Sequence, residues 1–313
     1  MAVRLRPGAM RDVATFADLM NRYHQWLRGE NLWDVDELRA TLLSPNSDPV
    51  NNDRYLDLDG VAVAAIHTHL AEPFDRAHLY LAAPPTPARL EHARTLIESG
   101  IRLLRSNKDA TAETQVDIAI PAEDAELQTL VASLGFAAVR RVYILEGPTA
   151  ESPPPDWPIT LSIRTLDLDS TRDIEASYSV FDETFPPGEE SWRMEHDEYV
   201  HMLTNDPTAV SHLSTLVESE QGVVLAACLN FRDTTQANTG HIVMVGVRTP
   251  IRRQGIGKAL LLDAFERFRA KGWTHARLGT FTGDDSADLR LYKSVGMVPL
   301  YRTDVLTSPL FSN

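Results

Sequence analysis

Residues 241–265 read HIVMVGVRTPIRRQGIGKALLLDAF. A β-prone run meets basic residues, the loop Arg252-Arg253-Gln254-Gly255-Ile256-Gly257-Lys258 carries two glycines, and an apolar helical pattern starts at once. Glycine at 255 and 257 removes Cβ atoms where a ligand must come close to the backbone. Successive N–H groups at that point, added to the positive end of a helix, can hold a pyrophosphate. Arg252, Arg253 and Lys258 would add charge-assisted contacts. A Gly-x-Gly turn before a helix also serves plain packing, so the loop alone leaves both readings open. It lacks the Gly-x-x-x-x-Gly-Lys-Ser/Thr spacing of a Walker loop. The third glycine of a dinucleotide fingerprint is absent too, and the loop comes late in the chain instead of in a first βαβ unit.

The elements that must hold this loop are a strand over 241–247 and a helix over 255–271. Ile256, Leu260, Ala264 and Phe268 share one stripe of that helix, and Lys271-Gly272 supplies a basic last turn and a C-cap. The pattern of the second half runs strand (ITLSIRTL), helices near 171–181 and 195–203, then strands SHLSTLVES and VVLAACLNF before the loop. After it come a strand ARLGTF, a helix ending LYKSVGM and a strand PLYRTDVL. The first half shows the same order: strand VRLRP, helices over 11–27 and 35–43, and strands RYLDLDG, VAVAAIHTHL and AHLYLAA. A helix over 88–104, strand TQVDIAI, a helix ending LVASLGF and strand VRRVYILE complete it. Shared pattern with little shared identity implies an internal duplication. The segment EGPTAESPPPDWP, 146–158, reads as the linker, because consecutive prolines cannot donate to a ladder and hold the chain extended. The expected fold is therefore α/β (α+β), two tandem domains over 1–147 and 159–313 joined by 148–158. Each is a mixed, mainly antiparallel sheet flanked by helices.

At 313 residues and 43% hydrophobic content the chain can bury two ordinary cores. A net charge of -14 argues against nucleic acid, whose binding needs a basic face, and favours cationic small molecules. The single cysteine, Cys228, permits no internal disulfide and suits a reducing compartment. No run approaches the length of a membrane span and the N-terminus has no apolar signal core, so the expectation is a soluble, cytoplasmic protein with no membrane partner.

About 35 residues after the loop stands DDSADLRLYKSVGM, a helix ending Leu291-Tyr292 with Gly296 four residues on. Arg/Gln-x-x-Gly-x-Gly after a strand, followed by a strand and a helix ending Leu-Tyr-x-x-x-Gly, resembles the GCN5-related N-acetyltransferase (GNAT) superfamily. Met297 replaces the usual Phe, and Asp285 a usual Asn. The duplicated layout resembles the tandem members of that superfamily over nearly the whole chain. The resemblance implies acetyl-CoA as donor, with Arg252 to Lys258 and Asp285 at its nucleotide end. Its pantetheine arm would pair along Val245, Gly246 and Val247, on a strand that splays from ARLGTF to admit the thioester. It further implies Tyr292 as the acid that protonates the departing thiolate. His241, where similar tandem enzymes carry a Glu, is the candidate base, since an imidazole titrates near neutrality. The acceptor would be a small amine. Asp182, Glu183, Glu189 and Glu190 can attract it, with Trp192 as an aromatic wall. A non-catalytic acyl-CoA-binding or regulatory protein is the rival from another class.

Sliding the halves over each other separates them in function. At an offset of 166, Gly255 and Gly257 fall on Arg89 and Glu91, inside APPTPARLEHA, which has no glycine and three prolines lacking N–H donors. At the offset of 161 that aligns SLGF with SVGM, Tyr292 falls on Val131. The first half is expected to be non-catalytic. His67 and His69 alternate on one strand without a completing carboxylate or cysteine, so they read as structural and no metal is expected. Cys228 reads as core.

Overall fold

The structure is a computed structural model of the chain, and it describes residues 3–42, 48–71, 75–157, 161–185, 194–281 and 286–311. In chain order the elements are β1 (Val3–Pro7), α1 (Val13–Arg28), α2 (Val35–Leu42), α3 (Pro49–Asn52), β2 (Asp53–Leu58), β3 (Val61–Ala71), β4 (Arg76–Ala82), α4 (Arg89–Ser106), β5 (Gln115–Pro121), α5 (Ala125–Ser133) and β6 (Ala137–Pro148). There follow β7 (Ser162–Thr165), α6 (Thr171–Thr184), α7 (His196–Asn205), β8 (Thr215–Glu218), β9 (Val224–Arg232), β10 (Thr239–Val247), α8 (Ile256–Ala270), β11 (His275–Phe281), α9 (Ala287–Lys293) and β12 (Val298–Pro309).

The chain divides into two compact units: unit 1 is Met1–Arg140 with Thr303–Asn313, and unit 2 is Arg141–Arg302. This cut differs from the expected break in the proline segment. The strand over 137–148 leaves unit 1 at Arg140, and Val142–Pro148 pairs antiparallel with β11 inside unit 2. In turn Thr303–Pro309 pairs antiparallel with β5 inside unit 1. Each unit is thus finished by the last strand of the other repeat, because the edge of β5 and the edge of β11 both need a partner for their ladder groups. Leu145 is buried in the unit 2 core, and Leu306 and Leu310 in that of unit 1.

Unit 1 has strand order β1-β2-β3-β4-β5 and then the C-terminal strand, antiparallel except for β4–β5. Unit 2 has the same order from the other end, β7-β8-β9-β10-β11 and then β6, with β10–β11 the parallel pair. Alternation along the strands gives each sheet two apolar faces, which the helices cover. In unit 2 one face carries Ile242, Leu260, Phe265 and Phe268 with α8, and the other carries Val180, Phe181, Tyr199 and Leu229 with α6 and α7. Gly240 lets the Phe268 ring lie on β10: a Cβ there would meet the ring at 2.5 Å.

The duplication is also written in charge. In unit 1 Arg6 on β1 pairs with Asp12 at 2.8 Å and with Asp57 on β2 at 2.9 Å. In unit 2 Arg164 on β7 pairs with Glu218 on β8 at 2.8 Å and with Asp173 on α6 at 2.5 Å. Both arginines fasten the first helix of their unit to its edge strands, and their carboxylate partners hold them charged.

Candidate active site

Strand β10 and its neighbours make a fork. Parallel pairing of β10 with β11 runs from Thr239 and His275 to Ile242 and Leu278. Beyond that point Val245, Gly246 and Val247 stay bonded to β9, and Gly279, Thr280 and Phe281 stay bonded to β6. Within β10 the register against β9 shifts between Ile242 and Met244, a β-bulge at Val243. The extra residue turns Val245 and Val247 to the α8 face and Gly246 to the α6 face, where Phe181 Cδ1 would stand 2.9 Å from an added Cβ. In unit 1 the parallel pair also parts after four residues, at Leu79 and Ile118, but the β3–β4 register is continuous from Ala65/Ala82 to Ala71/Arg76, so β4 has no bulge.

After β10 a short turn at Thr249–Ile251, built on Pro250, leads to the glycine loop. Arg253 takes φ 66 and Gly255 φ 84, and Gly255 is the N-cap of α8 with no side-chain cap. The first amide of this helix start to find a carbonyl is that of Ala259, which donates to Gly255 O at 3.0 Å. Among the described residues, nothing accepts from the N–H groups of Arg253 to Lys258. Six successive amides at the positive end of a helix are therefore without an acceptor among the described residues. Arg253 and Lys258 are exposed and, among the described residues, have no carboxylate partner, whereas Arg252 donates Nε–H to Val247 O at 2.8 Å. The residues fit a phosphoryl guest: donors without acceptors, free cations, and no side chain over the loop at Gly255, where an added Cβ would meet nothing within 4 Å.

Helix α9 sits on this helix start. Leu291 Cδ2 would lie 3.3 Å from a Cβ at Gly257, so the glycine allows the close approach. The helix ends because Gly296 takes φ 86, with the amides of Val295 and Met297 donating to Tyr292 O. That is the physical content of the Leu-Tyr-x-x-x-Gly spacing. Met297 is fully buried, filling the core beside Gly147. The Tyr292 hydroxyl is buried close to the Thr280 side chain on the open arm of β11, which favours its ionised form. Burial pushes it up to about 12, so it stays protonated at any physiological pH.

The other expected residues are placed unevenly. His241 is half-buried on the closed stem of the fork, paired with Phe231 and Arg277 one residue before pairing ends. Burial holds its imidazole below the ordinary 6.5, while Asp233 and Asp206 pull the other way. It is neutral near pH 7 and able to accept a proton. Glu183 is not an open carboxylate: it pairs with Arg248 and accepts the Thr249 N–H at 3.1 Å. Asp182 is exposed beside it. Glu189, Glu190, Trp192 and Asp285 lie outside the described residues. Arg248 and the bulge at Val243 escaped sequence reasoning, since neither belongs to a recognisable spacing.

In unit 1 the matching helix start carries side chains at 89 and 91 where unit 2 has glycines. Arg89 opens α4 and bonds Asp124 in a bidentate pair at 2.7 and 3.1 Å, with Glu126 at 3.0 Å. Tyr23 donates to the same Asp124 at 2.7 Å, and Trp26 lies 5.0 Å under the guanidinium. Elsewhere in the unit His67 Nδ1 binds Asp53 at 2.6 Å, and burial lowers His69 to about 4. No cluster suited to a metal ion occurs among the described residues. Cys228 is fully buried against Asn230, its thiol pushed far up by burial.

The model of the Acetyltransferase (GNAT) family matches residues 174–297, which hold the fork, the cradle and Tyr292. The match falls wholly within unit 2. A GCN5-related N-acetyltransferase from Sphaerobacter thermophilus shares 21% identity at TM-score 0.81, over 99% of this chain and 96% of its own. A tandem GNAT protein from the clavulanic acid biosynthesis pathway shares 16% at 0.74 over the whole of both chains. A glucosamine N-acetyltransferase region of a fungal multi-domain beta-N-acetylglucosaminidase shares 14% at 0.73, over 98% of this chain and 38% of that one. These likenesses establish the tandem GNAT fold across both units. No curated protein sequence matches the chain. Among the described residues no helix is long and apolar enough to cross a membrane.

Proposed function

We propose that unit 2 moves an acetyl group from acetyl-CoA to the primary amine of a small cationic molecule by direct transfer. What carries the reading is the run of six unaccepted amides at the start of α8, next to the edge of β10 that is left unpaired beyond Ile242. The amides of 253–258, with Arg253 and Lys258, hold the pyrophosphate. The freed edge of Val245–Val247 pairs with the pantetheine arm, which sets the thioester in the fork. His241, neutral at the stem, relieves the incoming ammonium of its proton, directly or through water. The amine nitrogen then attacks the thioester carbonyl, the C–S bond breaks, the Tyr292 O–H supplies the proton that the thiolate needs, and the proton shed by the newly acylated nitrogen returns to the phenolate through solvent. A net charge of -14 favours a cationic acceptor. Unit 1, with prolines and the Arg89–Asp124 pair where the cradle would be, serves as scaffold, so one acetyl-CoA binds per chain.

The test combines calorimetry with thiol release over an amine library. Acetyl-CoA should saturate at one per chain. Tyr292→Phe should slow thiol release by roughly a hundredfold or more, the usual worth of a placed acid, with donor affinity unchanged. Absence of saturable binding, or an unaltered rate in Tyr292→Phe, overturns the reading.

A further inference from the structure

Arg248 stands where β10 passes into the turn before the cradle, and every part of it is engaged. Its backbone N–H donates to Leu225 O at 2.9 Å. Its guanidinium donates from Nε to Val224 O at 3.0 Å, from Nη2 to Ser179 Oγ at 2.8 Å and from Nη1 to Glu183 Oε2. The second oxygen of Glu183 accepts the Thr249 N–H at 3.1 Å, the first amide of the turn. Only the planar fork of an arginine can serve three acceptors lying in such different directions; an ammonium on a flexible stem cannot. Ser179 and Glu183 lie on the last turns of α6, and the same turns set Val180 and Phe181 against Gly246. Helix α6 is therefore fastened to the donor strand at Gly246 by apolar contact and to the cradle's near end by the ionic clasp.

The orientation of the amides of 253–258 is fixed from two sides. On one side they run into α8, anchored by its buried face. On the other the chain must leave Thr249 in the right direction, through Pro250 and a left-handed Arg253, and the clasp is what holds Thr249. Glu183 is also a negative charge close to a site built for anions, which by charge alone would weaken binding there. The Thr249 amide and the Arg248 guanidinium hold the carboxyl below the usual carboxylate range.

We infer that Glu183 and Arg248 are positioning residues for donor binding: the clasp aims the cradle's amides at the pyrophosphate, and Glu183 is not a ligand of the acceptor amine. This rests on reading 253–258 as the acyl-donor site. The sign of the effect separates it from simple electrostatics, because deleting a carboxylate beside an anion site should tighten the anion, whereas loss of aim should loosen it.

The experiment measures the acetyl-CoA Kd, kcat and the acceptor KM for the full chain and for Glu183→Ala, Glu183→Gln and Arg248→Lys. Hydrogen exchange of 249–258 is followed in each protein without ligand. Glu183→Ala and Arg248→Lys should raise the donor Kd about five- to tenfold, the loss of one charge-assisted bond at an exposed site, with acceptor KM and saturating kcat within twofold. Glu183→Gln keeps an acceptor for the Thr249 N–H and should recover much of the affinity. Exchange at 253–258 should rise in Glu183→Ala. An unchanged or tighter donor Kd overturns the inference, as does a raised acceptor KM with donor affinity intact. If wild-type protein binds no acyl-CoA while exchange still rises in Glu183→Ala, the donor reading fails and the clasp survives as the device that shapes the loop. If neither changes, both fall.

Discussion

Lys258 offers a test in which stability and binding should move in opposite directions. It lies in the first turn of α8, exposed, with no carboxylate partner among the described residues, next to Arg253 and above amides that have no acceptor. A cation there opposes the helix macrodipole, an unfavourable contact of roughly 0.3–1 kcal/mol. Alanine removes it and is the better helix former. Lys258→Ala should therefore stabilise the ligand-free protein by about 0.5–1 kcal/mol, which for a unit of this size raises Tm by roughly 1–4 °C. Against a phosphoryl ligand the same side chain supplies a charge-assisted hydrogen bond of roughly 1.5–3 kcal/mol. Screening at an exposed site leaves about 1 kcal/mol of it, or a five- to tenfold weaker Kd for acetyl-CoA. Differential scanning calorimetry without ligand and titration calorimetry at low and physiological salt read the two quantities. The weakening should shrink as salt rises. A lower melting temperature together with unchanged acetyl-CoA affinity would show that Lys258 supports the fold and not the ligand, and would refute the assignment of the cradle.

Arg89→Met should leave Asp124, 3% exposed, without its bidentate partner, at about 3–5 kcal/mol of unit 1 stability; a first calorimetric transition that stays in place would contradict this. A chain ending at residue 147 lacks the 303–311 strand and, with it, Leu306 and Leu310 of the unit 1 core. It should be unfolded or aggregated by circular dichroism and sedimentation, and a peptide of 298–313 should restore structure to it. His24 is buried on α1 and lowered to about 4 by burial and by Arg28, so the unfolded chain takes up its proton first as the solution is acidified. Melting temperature should be level above about pH 6.5 and fall from there towards pH 4, and His24→Leu should flatten that fall; equal slopes in both proteins would remove His24 from the account.

Much of the fold was legible because local chemistry fixed it. The period of 3.6 in ALLLDAFERF, the glycines at 255, 257 and 296, and the prolines at 84, 85 and 87 each restrict the backbone or its donors wherever the chain goes. Those residues alone marked α8, its cradle, the helix end that carries Tyr292, and the loss of the same loop in the first half. The duplication followed from the repeated order of elements. Nothing local distinguishes Val243 from its neighbours, however, and its bulge is seen only in the pairing of β10 with β9. A carboxylate at 183 reads as a free charge until α6 brings it to Arg248, 65 residues away. The exchange of terminal strands likewise depends on which open sheet edge each last strand can reach, a matter of three-dimensional proximity that neither hydrophobic period nor turn chemistry encodes. Sequence determined which groups could hold an anion and give up a proton; tertiary structure decided which strand edges open to them and which charges are already taken, because pairing partners are chosen in space, among groups far apart along the chain.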